Sequence, residues 1–133
     1  GLAKINQQNE ALTGEITQLD GSGLSRYNLI SPKALIKILN DLYKRLGSSG
    51  IKTYFPQLNF EGTLKNYAPD LSLRTVYAKS GSLKNNHVLA GYLSTASNKP
   101  YAFVISVNNY TTDKQDVKKA IGEQLLRLYK KLQ

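Results

Sequence analysis

The sequence contains no cysteine. That excludes thiolate metal sites, a cysteine nucleophile and disulfides, whatever compartment the chain occupies. One histidine, His87, cannot build a multi-histidine metal centre, so neither a metal nor another cofactor is expected. Acidic residues are scarce: 9 Asp and Glu stand against 18 Lys and Arg, for a formal net charge of +9. No apolar run approaches the ~20 residues that cross a bilayer, so no transmembrane segment is expected. An initiator Met and a signal sequence are also lacking. The chain opens at Gly1, as a trimmed or proteolysed product does, and the residues themselves are silent on compartment.

What is present suits one globular domain or a piece of a larger one: 133 residues, 41% hydrophobic and 20% charged. The positive balance favours contact with polyanions, whether nucleic acid, anionic lipid or acidic cell-wall polymer. A solvated basic surface is the plainer explanation. The lysines are spread along the chain, with no basic arm and no interleaving with aromatics, so no nucleic-acid partner is expected. A non-catalytic basic binding module nevertheless stays open as an alternative.

Along the chain, residues 1–19 are polar, with weak apolar spacing at Leu2, Ile5, Leu12, Ile16 and Leu19, and read as a helix end or an extended lead-in. Asp20-Gly21-Ser22-Gly23 is turn chemistry; it lacks the Gly-Lys-Ser/Thr ending of a phosphate loop. Ser31 is a good helix N-cap and Pro32 suits the first helical position. Leu35, Ile38, Leu39, Leu42 and Leu46 form one helical face, and Gly47 is expected to end it. Residues 48–72, with Pro56, Gly62 and Pro69, read as loop with one short helix at most. Three strands are expected at Leu73 to Ala78, His87 to Ala96 and Tyr101 to Val107. The turns between them, Leu83 to Asn86 and Ser97 to Pro100, are short enough to require antiparallel neighbours. A closing helix has Asp113 as cap, Asp116 in its first turn, and Val117, Ile121, Leu125, Leu128 and Leu132 as its apolar stripe. The expected fold class is α/β of the α+β type: a three-stranded antiparallel sheet flanked by helices.

Chemistry concentrates in Lys79-Ser80-Gly81-Ser82, at the end of the first strand. Alone the triplet Lys-Ser-Gly is common. As a site its logic is clear for a peptide ending in a free carboxylate. The Lys79 ammonium supplies charge and the Ser80 hydroxyl a hydrogen bond to that carboxylate. Gly81 leaves room for substrate against the strand edge, and Ser82 offers its backbone N–H to a developing oxyanion. A peptide laid along that edge would be held by main-chain bonds. His87, at the start of a strand, reads as a half-exposed structural residue, not as part of a Ser-His-Asp triad. The nine tyrosines read as core edges and strand faces.

The stretch Asp20 to Pro32 (Asp-Gly-Ser-Gly-Leu-Ser-Arg-Tyr-Asn-Leu-Ile-Ser-Pro) resembles a signature of the class C penicillin-binding proteins. These are the D-alanyl-D-alanine carboxypeptidase/endopeptidases of peptidase family S13. Lys79 to Leu83, then Leu89-Ala90-Gly91-Tyr92, Thr95-Ala96-Ser97 and Ala102-Phe103-Val104 follow the family's order, so the resemblance covers residues 20–131 or so. Ser80 stands where Thr is usual in the Lys-Thr-Gly strand. The resemblance implies a β-lactamase/penicillin-binding-protein-like fold and a serine acyl transfer: a Ser attacks the D-Ala-D-Ala carbonyl, D-alanine leaves, and water clears the acyl-enzyme. It implies peptidoglycan stem peptides as substrates, β-lactam antibiotics as ligands that trap the acyl-enzyme, and a periplasmic or extracytoplasmic location. Arg26 matches the family's Arg for the acidic end of the diaminopimelate side chain. Lys84 departs from the family's usual uncharged polar residue, and Asp20 and Ser22 are carried over as substrate-binding.

The family's Ser-x-x-Lys and Ser-x-Asn motifs come earlier in its chains. Ser49 and Lys52 have the right spacing but follow the Asp-Gly-Ser-Gly stretch, in the wrong order, and Ser97-Asn98-Lys99 reads as a hairpin turn. The chain is therefore expected to be the C-terminal portion of a single penicillin-binding domain, inactive alone. Of the family's five strands three are present, and the last of these is expected to pair with the missing N-terminal part, since an open edge invites aggregation. A β-lactamase or esterase relative of the same fold is the other catalytic alternative.

Overall fold

The computed structural model describes residues 14–69 and 75–133. The apolar spacing at Leu2, Ile5 and Leu12 and the expected strand start at Leu73 lie outside them. A two-residue ladder comes first: β1 (Ile16–Thr17) pairs antiparallel with β2 (Leu29–Ile30). The polar lead-in is thus tied back onto the segment that enters the first helix, with Ser31 N–H donating to Glu15 O at 3.0 Å.

Helix α1 spans Pro32–Tyr54. Ser31 caps it as its chemistry requires, its Oγ accepting from the Ala34 N–H at 3.0 Å, and Pro32 opens it. Gly47 does leave helical geometry, at φ 63° and ψ −176°, but the helix kinks there and resumes, contrary to the expected stop. The reason is tertiary. Ile51, one turn beyond the kink, is buried against the sheet with Leu39, Ala90 and Tyr92, so burial continues a helix that local chemistry would end. Ile38, counted in the apolar face, is exposed. A 3₁₀ turn follows at Gly62–Leu64.

The main sheet is β3 (Val76–Leu83), β4 (Asn86–Ser94) and β5 (Pro100–Asn108), antiparallel throughout and ordered β3-β4-β5. β3 runs five residues past the expected end at Ala78, so Lys79 to Ser82 lie inside a strand and not at its end. The second turn forms where expected: Asn98 takes φ 59°, and Thr95 N–H donates to Lys99 O at 3.0 Å. Helix α2 (Lys114–Lys131) is capped by Asp113, whose Oδ1 accepts from the Gln115 N–H at 2.6 Å.

One helix covers each sheet face. On one, Val117, Ile121 and Leu125 of α2 meet Val76, Ala78, Leu89, Leu93 and Phe103, with Leu58, Leu64 and Tyr67 closing the end. On the other, α1 meets Ala90 and Tyr92. Tyr92 also donates its hydroxyl to Leu39 O at 2.7 Å and meets Phe55 edge-on at 5.3 Å, pinning α1 to the sheet. Burial pushes the Tyr92 phenol up to about 12, so it stays a donor at neutral pH.

Candidate active site

Lys84 and Asn85 make a two-residue hairpin between the partners Leu83 and Asn86. Asn85 adopts φ 62°, which the tight turn demands and Asn tolerates. A two-residue hairpin is closed by a hydrogen-bonded pair, and hydrogen-bonded pairs then alternate with pairs whose backbone groups point outward. By that count Ala78, Ser80 and Ser82 direct their N–H and C=O groups to the open side of β3. Near the start of the strand these groups are occupied: Ala78 N–H donates to Pro56 O at 3.1 Å, and Val76 O accepts from Leu58 N–H at 2.9 Å. Beyond Ala78 no further strand lies on that edge among the described residues. Among the described residues no backbone group pairs with the outward N–H of Ser80 or of Ser82.

The Lys79 side chain curls onto this edge, its Nζ donating to Ser80 O at 2.8 Å. Strand alternation puts Ser80 and Ser82 on the α2 face with Ala78, and Lys79 and Gly81 on the α1 face with Tyr77. A Cβ at Gly81 would sit 3.1 Å from Val88 Cγ1, so that side chain would have to give by a few tenths of an ångström. The sequence-chosen tetrad is thus gathered on one open strand edge.

The Asp20 loop lies over the hairpin. Asp20 Oδ1 accepts from Ser22 N–H (3.0 Å), Ser22 Oγ (2.8 Å) and Asn28 Nδ2 (3.2 Å). Asn28 Oδ1 in turn accepts from the N–H groups of Leu19 and Asp20, at 2.8 and 3.3 Å. These bonds, the Ser22 hydroxyl first, hold the Asp20 carboxyl below its ordinary range. Asp20 and Ser22 therefore shape the loop. What the loop presents is Arg26, whose Nη2 reaches Lys84 O at 3.4 Å and brings two cations to the hairpin tip. Among the described residues no carboxylate pairs with Lys79, Lys84 or Arg26. A cleft of about 590 Å³ opens beside Arg26, lined also by Gly23, Gly81, Ser82 and Asn108 among others.

Two residues that adjoin the tetrad were not legible as such in the sequence. His87, expected half-exposed, is 2% exposed. Its Nδ1 lies 2.7 Å from Ser82 Oγ and its Nε2 2.6 Å from Tyr67 Oη. Burial lowers its proton affinity, and Lys114 and Lys118 lower it further. Tyr67 comes from an irregular segment whose lack of period hides it. The spaced pair Ser49 and Lys52 are both exposed on the second half of α1.

The sequence profile of the D-Ala-D-Ala carboxypeptidase 3 (S13) family matches residues 5–131. The chain is 35% identical over 111 residues to the D-alanyl-D-alanine carboxypeptidase DacB of Haemophilus influenzae, a match covering 81% of this chain and 23% of that one. The crystal structure of penicillin-binding protein 4 from Haemophilus influenzae, complexed with a novel β-lactam, superposes with a TM-score of 0.77 at 30% identity, over 95% of this chain and 31% of that one. The extended-spectrum β-lactamase TLA-1 superposes with a TM-score of 0.75 at 17% identity, over 99% of this chain and 55% of that one, a likeness of fold alone. The expected β-lactamase/penicillin-binding-protein-like fold is the one observed. The chain spans less than a third of the length of its Haemophilus relatives, and it belongs to the D-Ala-D-Ala carboxypeptidase (S13) family.

Proposed function

We propose that this chain is the substrate-binding and oxyanion edge of a serine-type D-Ala-D-Ala carboxypeptidase/endopeptidase acting on peptidoglycan stem peptides and acylated by β-lactams. The observation that carries the reading is the free edge of β3 from Ser80 onward, with the Lys79 ammonium folded onto it. A peptide strand pairs with the outward backbone groups of Ser80 and Ser82. The Ser82 N–H receives the oxyanion, and Lys79 with the Ser80 hydroxyl holds the terminal carboxylate. The nucleophilic Ser and its general base come from a part of the protein outside these residues. That part also pairs with the outer edge of β5, where no strand lies among the described residues.

Arg26 and Lys84 supply a second anion site at the hairpin tip, fitted to the side-chain carboxylate of a diaminopimelate residue. Asp20 and Ser22 serve substrate binding by holding the loop that presents Arg26. The reaction places the protein outside the cytoplasmic membrane, where peptidoglycan lies. The test is release of D-alanine from a stem peptide ending in D-Ala-D-Ala by the full-length protein. Release that disappears after preincubation with penicillin is expected. A full-length protein that neither releases D-alanine nor takes up penicillin would overturn the reading.

A further inference from the structure

The Ser82 side chain has no part in the chemistry above, which uses only its backbone. Its hydroxyl ends a buried polar chain, Tyr67 Oη–His87 Nε2 at 2.6 Å and His87 Nδ1–Ser82 Oγ at 2.7 Å. We infer that Tyr67 and His87 are positioning residues that hold the Ser82 hydroxyl as a hydrogen-bond donor toward the substrate's terminal carboxylate, beside Ser80. This rests on the proposed peptidase reading.

The placement of the protons decides which group donates. Two arrangements satisfy a neutral imidazole. In the first, Tyr67 donates to Nε2, and Nδ1–H donates to Ser82 Oγ. In the second, Ser82 donates to Nδ1, Nε2–H donates to Tyr67, and the Tyr67 proton needs another acceptor. Tyr67 is 1% exposed, and among the described residues its hydroxyl meets no acceptor but His87. The second arrangement therefore leaves a buried O–H unpaired, which costs more than an acceptor with a spare lone pair. The first is selected. It makes Ser82 Oγ an acceptor from the protein side, so its own proton points away from His87. Ser82 is exposed, on the same sheet face as Ser80 and two residues along the free edge. Both hydroxyls then address one carboxylate, which accepts several bonds at once.

Lys118 Nζ sits 5.2 Å from the centre of the Tyr67 ring, and the Tyr67 and His87 rings stack at 5.7 Å. Burial first, and then Lys114 and Lys118 of α2, the charged groups facing His87, lower its proton affinity. Even the protonated ring would donate from Nδ1, so Ser82 keeps its orientation.

The test compares acylation of the full-length protein by benzylpenicillin and by its methyl ester, which lacks the carboxylate charge. Loss of one hydrogen bond to a charged group is worth about tenfold to a hundredfold. His87→Phe is expected to lower the benzylpenicillin-to-ester rate ratio by that factor. Tyr67→Phe is expected to lower it less. His87→Asn, whose amide nitrogen can occupy the place of Nδ1, is expected to recover part of the loss. His87→Phe combined with Ser82→Ala should be no worse than Ser82→Ala alone. Imidazole ¹⁵N shifts of the wild type should report the Nδ1–H tautomer, a readout that survives if His87→Phe fails to fold. Equal slowing of both compounds, or an Nε2–H tautomer, overturns the inference while the peptidase reading stands. Absence of any acylation of the wild type overturns both.

Discussion

Gly91 lies against Tyr77 across the β3–β4 ladder: a Cβ at position 91 would stand 2.2 Å from the Tyr77 carbonyl oxygen and 2.5 Å from Ala78 Cα. The bare backbone at Gly91 lets β4 approach the strand that carries Lys79 this closely. Gly91→Ala is expected to push the two strands apart and to cost about 1–3 kcal/mol as an overpacked core does. The midpoint of urea unfolding of the full-length protein reads the loss, and an unchanged midpoint would contradict the packing described.

Tyr92 joins α1 to the sheet by a buried bond to Leu39 O and a ring contact with Tyr43, and meets Phe55 edge-on just past the helix end. Tyr92→Phe keeps the ring against Phe55 and removes the bond to Leu39 O. Its expected cost is about 1 kcal/mol, the net worth of a neutral hydrogen bond. Tyr92→Ala should cost about 3–5 kcal/mol, because the ring's cavity is added. Equal costs for the two variants would mean the ring contributes nothing.

His87 predicts an acid dependence. Burial first, and Lys114 and Lys118 after it, lower its folded proton affinity below the ordinary histidine value. Protonation therefore favours the unfolded chain. The stability this group contributes is fully present above about pH 6.5 and is lost as pH falls through the lower folded value. Below about pH 6.5, unfolding midpoints should fall more steeply for the wild type than for His87→Phe, with Tyr67, Ser82, Lys114 and Lys118 unchanged around the site. Parallel curves would show that His87 does not titrate on unfolding.

Among the described residues the side-chain hydrogen bond of Arg26 is the exposed one to Lys84 O, so Arg26→Ala should leave the fold intact. On the proposed reading it raises KM for stem peptides with a free diaminopimelate carboxylate and spares those with lysine at that place. One surface charge contact is worth about 1 kcal/mol, or several-fold in KM. An equal effect on both peptides would remove Arg26 from side-chain recognition.

Much of the fold was readable because it depends on near neighbours. Ser31 and Asp113 cap helices through bonds two and three residues away, and the strands announce themselves by β-branched and aromatic content. Local signals failed where distant groups decide. Gly47 looks like a helix end, yet the burial of Ile51 carries the helix on to Tyr54. Lys79 to Ser82, with Gly and two Ser, has turn composition, yet pairing with His87 to Ala90 holds it as strand. The pairing of Pro56 and Leu58 with β3, which decides where the free edge begins, leaves no periodic trace. The tetrad's candidacy rests on its residue types. The Tyr67–His87–Ser82 chain was not legible, because three separate segments must meet to form it.

On the proposed reading, the β3 edge with Lys79 binds the acylating substrate. The most direct measurement is the rate of covalent labelling by a fluorescent penicillin, for the full-length protein and its Lys79→Ala variant. The account predicts an adduct in the wild type and a rate lowered about 100-fold or more in the variant, the scale for losing one preorganised charge contact. Labelling of Lys79→Ala at a near-wild-type rate would contradict it.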